Sequence, residues 1–193
     1  MTSLYLIRHG QTDWNIEQRW QGQSDIPLNA AGRQQAARLA AELVTANFSA
    51  IYSSDLSRAY ETALALSRIS VLPIRIEPRL REIHQGEWQG LREIDIQARY
   101  GNAFQERKQH PLHIAPPGGE TVMQVRDRVI SAVNDICTMH PKERVALVSH
   151  GFALALIQVH FTQMPVEAAW QIIPANAEWR ELEIDFSASN PNS

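Results

Sequence analysis

Two widely separated stretches of this chain follow one plan. Leu4-Tyr5-Leu6-Ile7-Arg8-His9-Gly10 and Arg144-Val145-Ala146-Leu147-Val148-Ser149-His150-Gly151 are each an aliphatic run that breaks into His-Gly. A short apolar run closed by a turn residue reads as a buried strand. Helical patterns separate the strands, so the chain is expected to form an α/β fold, a three-layer α/β/α sandwich with a mostly parallel central sheet. Open parallel sheets bind ligands just beyond the carboxyl ends of their strands. Both histidines would then project into the usual place for a site.

Between these runs the order is regular. Residues 13–28 read as a polar loop carrying Trp14 and Trp20. Asn29 is a suitable N-cap for a helix from Ala30 to about Val44. Ala50–Ser53 reads as a second strand, and Ser54 to Ala63 as a cap followed by a helix with Arg58 in its first turn. Val71–Ile76 is expected to be a third strand. Residues 79–90 are dense in ionisable groups, and Leu91 to His110 reads as a pair of short helices. A helix from Glu120-Thr121 to about Met139 precedes the second His-Gly run. Phe152–Phe161 is apolar nearly all round, as a buried helix would be. Ile172-Ile173 and Leu182–Ile184 are expected to be short final strands. At 193 residues the chain fits one domain over 1–186, with an insertion at about 91–119 covering the site and a frayed polar tail at 187–193.

Composition excludes more than it selects. With a formal charge of −3 and no long basic block, a nucleic-acid groove is not expected. No apolar run approaches the ~20 residues that span a bilayer, and no leader precedes Leu4, so a cytoplasmic location is expected. The single Cys137 shares a helix face with Val125, Val129 and Val133 and reads as a buried structural thiol. The seven histidines show no HExxH or HxH spacing, so the sequence makes no case for a metal, and no cofactor is expected.

An imidazole beside a guanidinium suits attack on a phosphoryl group. Neutral imidazole is nucleophilic, Arg offers a charged fork for phosphate oxygens, and that charge favours the neutral ring. For Arg8-His9-Gly10 alone, an ordinary structural hydrogen bond is an equal reading. Arg58 is placed where a helix dipole disfavours cations, so it needs a negative partner. That partner could be Asp55, Glu61 or a phosphate at the helix N-terminus. Asn15 and Gln21 are candidates for contacts to a bound anion, Gln21 equally a residue that ties down its loop. If the strands are parallel, His9, Arg58 and His150 rise from one sheet edge as a phosphate pocket, and Glu82 is the natural acid for a departing alkoxide.

At this point the chain resembles the histidine phosphatase superfamily, the phosphoglycerate-mutase-like proteins. The matching pieces are Leu6–Thr12 with Asn15, Ser53–Ala59 with Thr62-Ala63, Arg81-Glu82-Ile83 with Gly86-Glu87-Trp88, and Val148–Gly151. The resemblance implies that His9 carries a phosphohistidine, that Arg8, Arg58 and His150 bind the phosphoryl oxygens, and that Glu82 protonates the leaving oxygen and then activates water. It implies Asn15, Gln21, Gly22 and Gly151 as neighbouring substrate contacts.

Glu82-Ile83-His84-Gln85-Gly86-Glu87-Trp88 is similar to the small bacterial branch containing broad-specificity, metal-independent phosphoserine and α-ribazole phosphatases. It departs from the Arg-His-Tyr-Gly of the mutases, which favours water as acceptor over phosphoglycerate-mutase-type transfer. His84 would contact substrate if its segment is extended, or else bond a loop carbonyl or solvent at the rim. The expected partner is a small phosphate ester. A protein phosphatase and a silent phosphate-binding module are the alternatives, and pairing with a second copy is left open.

Overall fold

The structure, a computed structural model, describes residues 1–185; the tail expected at 187–193, and the last residue of the expected domain, lie outside them. Five strands form one sheet: β1 (Thr2–Arg8), β2 (Ala50–Ser53), β3 (Ile74–Ile76), β4 (Arg144–Ser149) and β5 (Trp179–Ile184), in the order β3-β2-β4-β1-β5. All neighbours are parallel except β5, which runs antiparallel to β1.

Alternation along the strands sets up two apolar layers. Leu4, Leu6, Val145 and Leu147 point to one face and pack with α5 (Val122–Met139) and α6 (Gly151–Phe161). Tyr5, Ile7, Ile51, Ala146 and Val148 point to the other, against α2 (Ala30–Glu42) and α3 (Ser57–Ser70). The result is the three-layer α/β/α arrangement. Cys137 is buried in the first layer, and loss of hydration pushes its thiol up to about 12.

Several elements differ from the sequence reading. The third strand is confined to Ile74–Ile76 because Val71 takes a left-handed conformation that ends α3. Ile172-Ile173 is not a strand, since Ile172 closes a 3₁₀ helix, Val166–Gln171; the strand expected at Leu182–Ile184 is present and begins earlier, at Trp179. The loop after β1 contains a single helical turn, α1 (Asp13–Ile16), in which Thr12 and Asn15 form a reciprocal capping box. The helical segment after Leu91 agrees with the pair of short helices expected: α4 (Glu93–Gln109) is broken by a kink at Tyr100. Trp88, Ile96 and Phe104 anchor it through a small separate core, with Trp20 packed against them. Among the described residues no helix is long and apolar enough to cross a membrane.

Where β1 ends, the backbone touches the first turn of α2. A Cβ on Gly32 would sit 2.1 Å from the Gln11 carbonyl oxygen, and one on Gly10 would sit 2.5 Å from that of Gly32. Neither neighbour is a flexible side-chain tip, so the contact cannot relax cheaply. Gly32→Ala is expected to cost about 1–3 kcal/mol, read as a lower urea midpoint at unchanged slope.

Candidate active site

Because β1, β2 and β4 are parallel, their carboxyl ends meet at one edge of the sheet. Arg8 and His9 leave β1 there, His150 leaves β4, and the turn after β2 leads into α3 and Arg58. A cavity of about 560 Å³ opens at this edge. Arg8, His9, Asn15, Gln21, Gly22, Arg58 and Glu82 all line it.

His9 is fixed by backbone and by charge. Its amide donates to the Ser149 carbonyl at 3.0 Å, and its own carbonyl accepts from the Ala177 amide at 3.1 Å. Nδ1 lies 2.7 Å from the Gly10 carbonyl oxygen, which can only accept, so Nδ1 holds the ring proton. Burial, then the charges of Arg58 and Arg8, hold the imidazole well below its usual range. Nε2 is therefore a bare nitrogen on a buried ring beside the cavity. Gly10 is pinned in turn by donation from its amide to Thr62 Oγ1 at 3.0 Å.

Arg58 is buried and is bonded to no carboxylate among the described residues. Asp55 pairs with Arg81 and Glu61 with Arg33, so neither supplies the partner expected from sequence. The guanidinium donates instead to the carbonyls of Ser24 (2.8 Å) and Gly22 (2.7 Å) and to His150 Nδ1 (3.2 Å). Burial lowers its pKa to about 10 against the opposing fields of Glu82 and Asp25. Asp25 supplies the acid at the start of α3, accepting from the Ser57 amide and hydroxyl at 2.7 and 2.8 Å.

His150 and His84 do not reach the cavity. Nδ1 of His150 accepts from Arg58, so Nε2 carries the proton and meets Ser54 Oγ at 2.9 Å. Both ring nitrogens are thus committed, and His150 stands behind Arg58 with its ring 5.2 Å from that of His9. Burial, with Arg58 next, lowers it well below the ordinary histidine range. His84 turns into its own loop, where Nδ1 accepts from the Gly86 amide at 3.1 Å as the chain enters a 3₁₀ helix, Gly86–Trp88. Its ring nitrogen is taken by that loop and His84 is not part of the cavity lining, so the contact expected beside Glu82 is not made.

Glu82 closes the opposite side. Its Oε2 accepts from the Phe152 amide at 3.0 Å, and Oε1 from Ala153 (3.2 Å) and Ile83 (2.9 Å). The carboxyl thereby caps α6, whose own N-cap residue, His150, offers no side-chain bond. Gly151 does not line the cavity. It makes room for Arg8, since a Cβ there would lie 3.2 Å from Arg8 Cζ. Arg8 Nη1 donates to the Pro174 carbonyl at 2.6 Å, while Nε is a buried donor with no partner among the described residues. Asn15 spends Oδ1 on Thr12 and Asn176, and so can present its amide nitrogen to a ligand. Gln21 leaves Oε1 buried and unpartnered, and the Gly22 carbonyl serves Arg58.

Sequence reasoning expected residues 91–119 to cover the site but assigned no contact to the outer-wall side chains Trp20, Phe104, Arg107, Lys108, Phe152 and Trp170, which line the same cavity. Phe104, Arg107 and Lys108 lie on α4, whose weak amphipathicity gave no reason to single them out. It also missed Asn176, which donates to the His9 carbonyl at 3.2 Å from a loop with no distinguishing composition.

Residues 4–190 match the family model of the histidine phosphatase superfamily, branch 1. The chain belongs to this superfamily. It is 36% identical over 188 residues to a glucosyl-3-phosphoglycerate phosphatase of Mycolicibacterium vanbaalenii, covering 93% of this chain and 83% of that one. A metal-independent phosphoserine phosphatase of Arabidopsis thaliana is 39% identical over 167 residues, 84% of this chain and 70% of that one. The solved structure of a mycobacterial glucosyl-3-phosphoglycerate phosphatase in complex with VO3 superposes with a TM-score of 0.86 at 34% identity, covering 96% and 92% of the two chains.

The two depressed histidines make a stability prediction. As pH falls through about 6.5 the unfolded chain takes up protons that folded His9 and His150 refuse, so protonation favours unfolding. Urea unfolding from about pH 7 to about pH 5 should show stability falling toward acid, by at most about 1.4 kcal/mol per pH unit for each histidine. In His150→Asn the slope should be shallower; an unchanged slope would show that His150 does not contribute.

Proposed function

We propose that this protein is a phosphomonoesterase that hydrolyses small phosphate esters through a phosphohistidine on His9. The carrying observation is the bare Nε2 of a neutral, buried imidazole beside a cavity that two guanidiniums and a carboxyl share. Nε2 attacks phosphorus, the bond from phosphorus to the ester oxygen breaks, and Glu82 gives its proton to that oxygen. The Glu82 carboxylate then takes a proton from water, the resulting oxygen attacks phosphorus, and the P–N bond breaks to release phosphate and regenerate His9. Arg8 and Arg58 hold the charge that develops on the phosphoryl oxygens, and the unpartnered Arg8 Nε supports that role. His150 acts through Arg58 by fixing the plane of the guanidinium. The positive charge needed comes from side chains, so no metal is assigned a step. We place the reaction in the cytoplasm, where Cys137 would remain a thiol.

The walls support a small leaving group over a protein side chain, because α4 and the 3₁₀ helix Val166–Gln171 add Phe104, Lys108 and Trp170 around the cavity. Arg107 is half-buried in that wall. With Lys108 it favours a leaving group that itself bears an acid.

Phosphate release should proceed undiminished in excess chelator. A base quench during turnover should trap label on wild-type protein and none on His9→Ala, since phosphohistidine is lost in acid and survives base. A burst of product with no protein-bound label would sink the intermediate. Arg58→Ala should lower kcat/KM by about 10²–10³-fold. Arg107→Ala should raise KM for acidic esters by about 10-fold more than for neutral ones of similar size, in steady-state assays.

A further inference from the structure

Glu82 lies in a segment, residues 81–85, that belongs to no strand or helix, so the sheet does not set its position. Three of the carbonyls at and before it point at one side chain. Arg128, on α5, donates from Nη1 to the carbonyls of Arg79 (2.7 Å) and Arg81 (2.6 Å), and from Nη2 to that of Glu82 (2.9 Å). Its remaining N–H groups go to Glu120, Nε to Oε1 at 2.9 Å and Nη2 to Oε2 at 2.9 Å. All five donors of the guanidinium are used.

Glu120 completes the frame. Its Oε2 accepts from the His84 amide at 2.8 Å and from Gln23 Nε2 at 3.3 Å, and the same Gln23 nitrogen meets the Glu82 carbonyl at 3.0 Å. Burial pushes the Glu120 carboxyl up, but Arg128 and the His84 amide outweigh it and hold it below its usual range. The charged pair is therefore maintained at neutral pH, with both side chains mostly covered. Neither residue lines the cavity.

We infer that Arg128 and Glu120 are a positioning pair for the general acid, holding the main chain of Glu82 so that its carboxyl meets the leaving oxygen. The inference rests on the phosphomonoesterase reading and adds residues that touch neither substrate nor the reacting atoms. Lys cannot take the place of Arg128, because three donors on a single nitrogen cannot span carbonyls at 79, 81 and 82 and a carboxylate together. A misplacement of about 1 Å at a reacting group can cost about 10²-fold in rate.

Leaving-group dependence separates positioning of the acid from support of the fold. Nitrophenolate departs from p-nitrophenyl phosphate without needing a proton, whereas the alkoxide of glycerol phosphate needs one. In Arg128→Lys, kcat for glycerol phosphate should fall by about 10²-fold and kcat for p-nitrophenyl phosphate by no more than about 3-fold. Equal losses on both esters, or no loss on either, would overturn the inference. Glu120→Gln, which keeps the shape and an acceptor oxygen, should show the same bias more weakly, and it decides the matter if Arg128→Lys does not fold by circular dichroism. Wild-type protein that hydrolyses neither ester would instead sink the phosphomonoesterase reading itself.

Discussion

The buried charge of Arg58 is the constraint on which the rest of the site depends. A guanidinium taken out of water without a carboxylate is costly, and removing even one of its acceptors would raise that cost. The chain offsets it with neutral acceptors: two carbonyls from the 22–24 loop and one imidazole nitrogen. None of these cancels the charge. The positive field therefore persists at the sheet edge, where burial first and this field second keep His9 unprotonated, and it leaves net attraction for an anion. A carboxylate at Asp55 or Glu61 bonded to Arg58 would have been better for folding and worse for both of those effects.

What the sequence made legible follows from how local each cause is. The His9 and His150 runs were readable because an aliphatic strand ending in His-Gly announces both its burial and its end, and the parallel register then brings the two rings within 5.2 Å. The direction in which those rings point was not readable. His150 is turned to Arg58 and Ser54 by partners 92 and 96 residues away, and no pattern near position 150 encodes them. His84 failed for a different reason: a turn-forming amide two residues later takes its ring nitrogen, so a local bond overrode the alternation assumed for an extended segment. The polar loop read at 13–28 gave no sign of the capping box that Asn15 forms with Thr12 or of the Gly22 carbonyl that holds Arg58. β5 shows the converse, where pairing with β1 extends a strand back to Trp179 through Arg180 and Glu181, charged residues with little strand character of their own.

Glu82 is held by the helix it caps. Its oxygens meet the first free amides of α6, donors that the side chain of His150 leaves unserved. In the proposed cleavage step, charge moves from the ester oxygen to Glu82 as the proton leaves, and the α6 amides are already aimed at the oxygens where it arrives, with no reorganisation needed. Arg128 meets the main-chain carbonyl of the same residue, so Glu82 is fixed at both its backbone and its carboxyl. An acid placed this way matters most for esters whose leaving groups are poor.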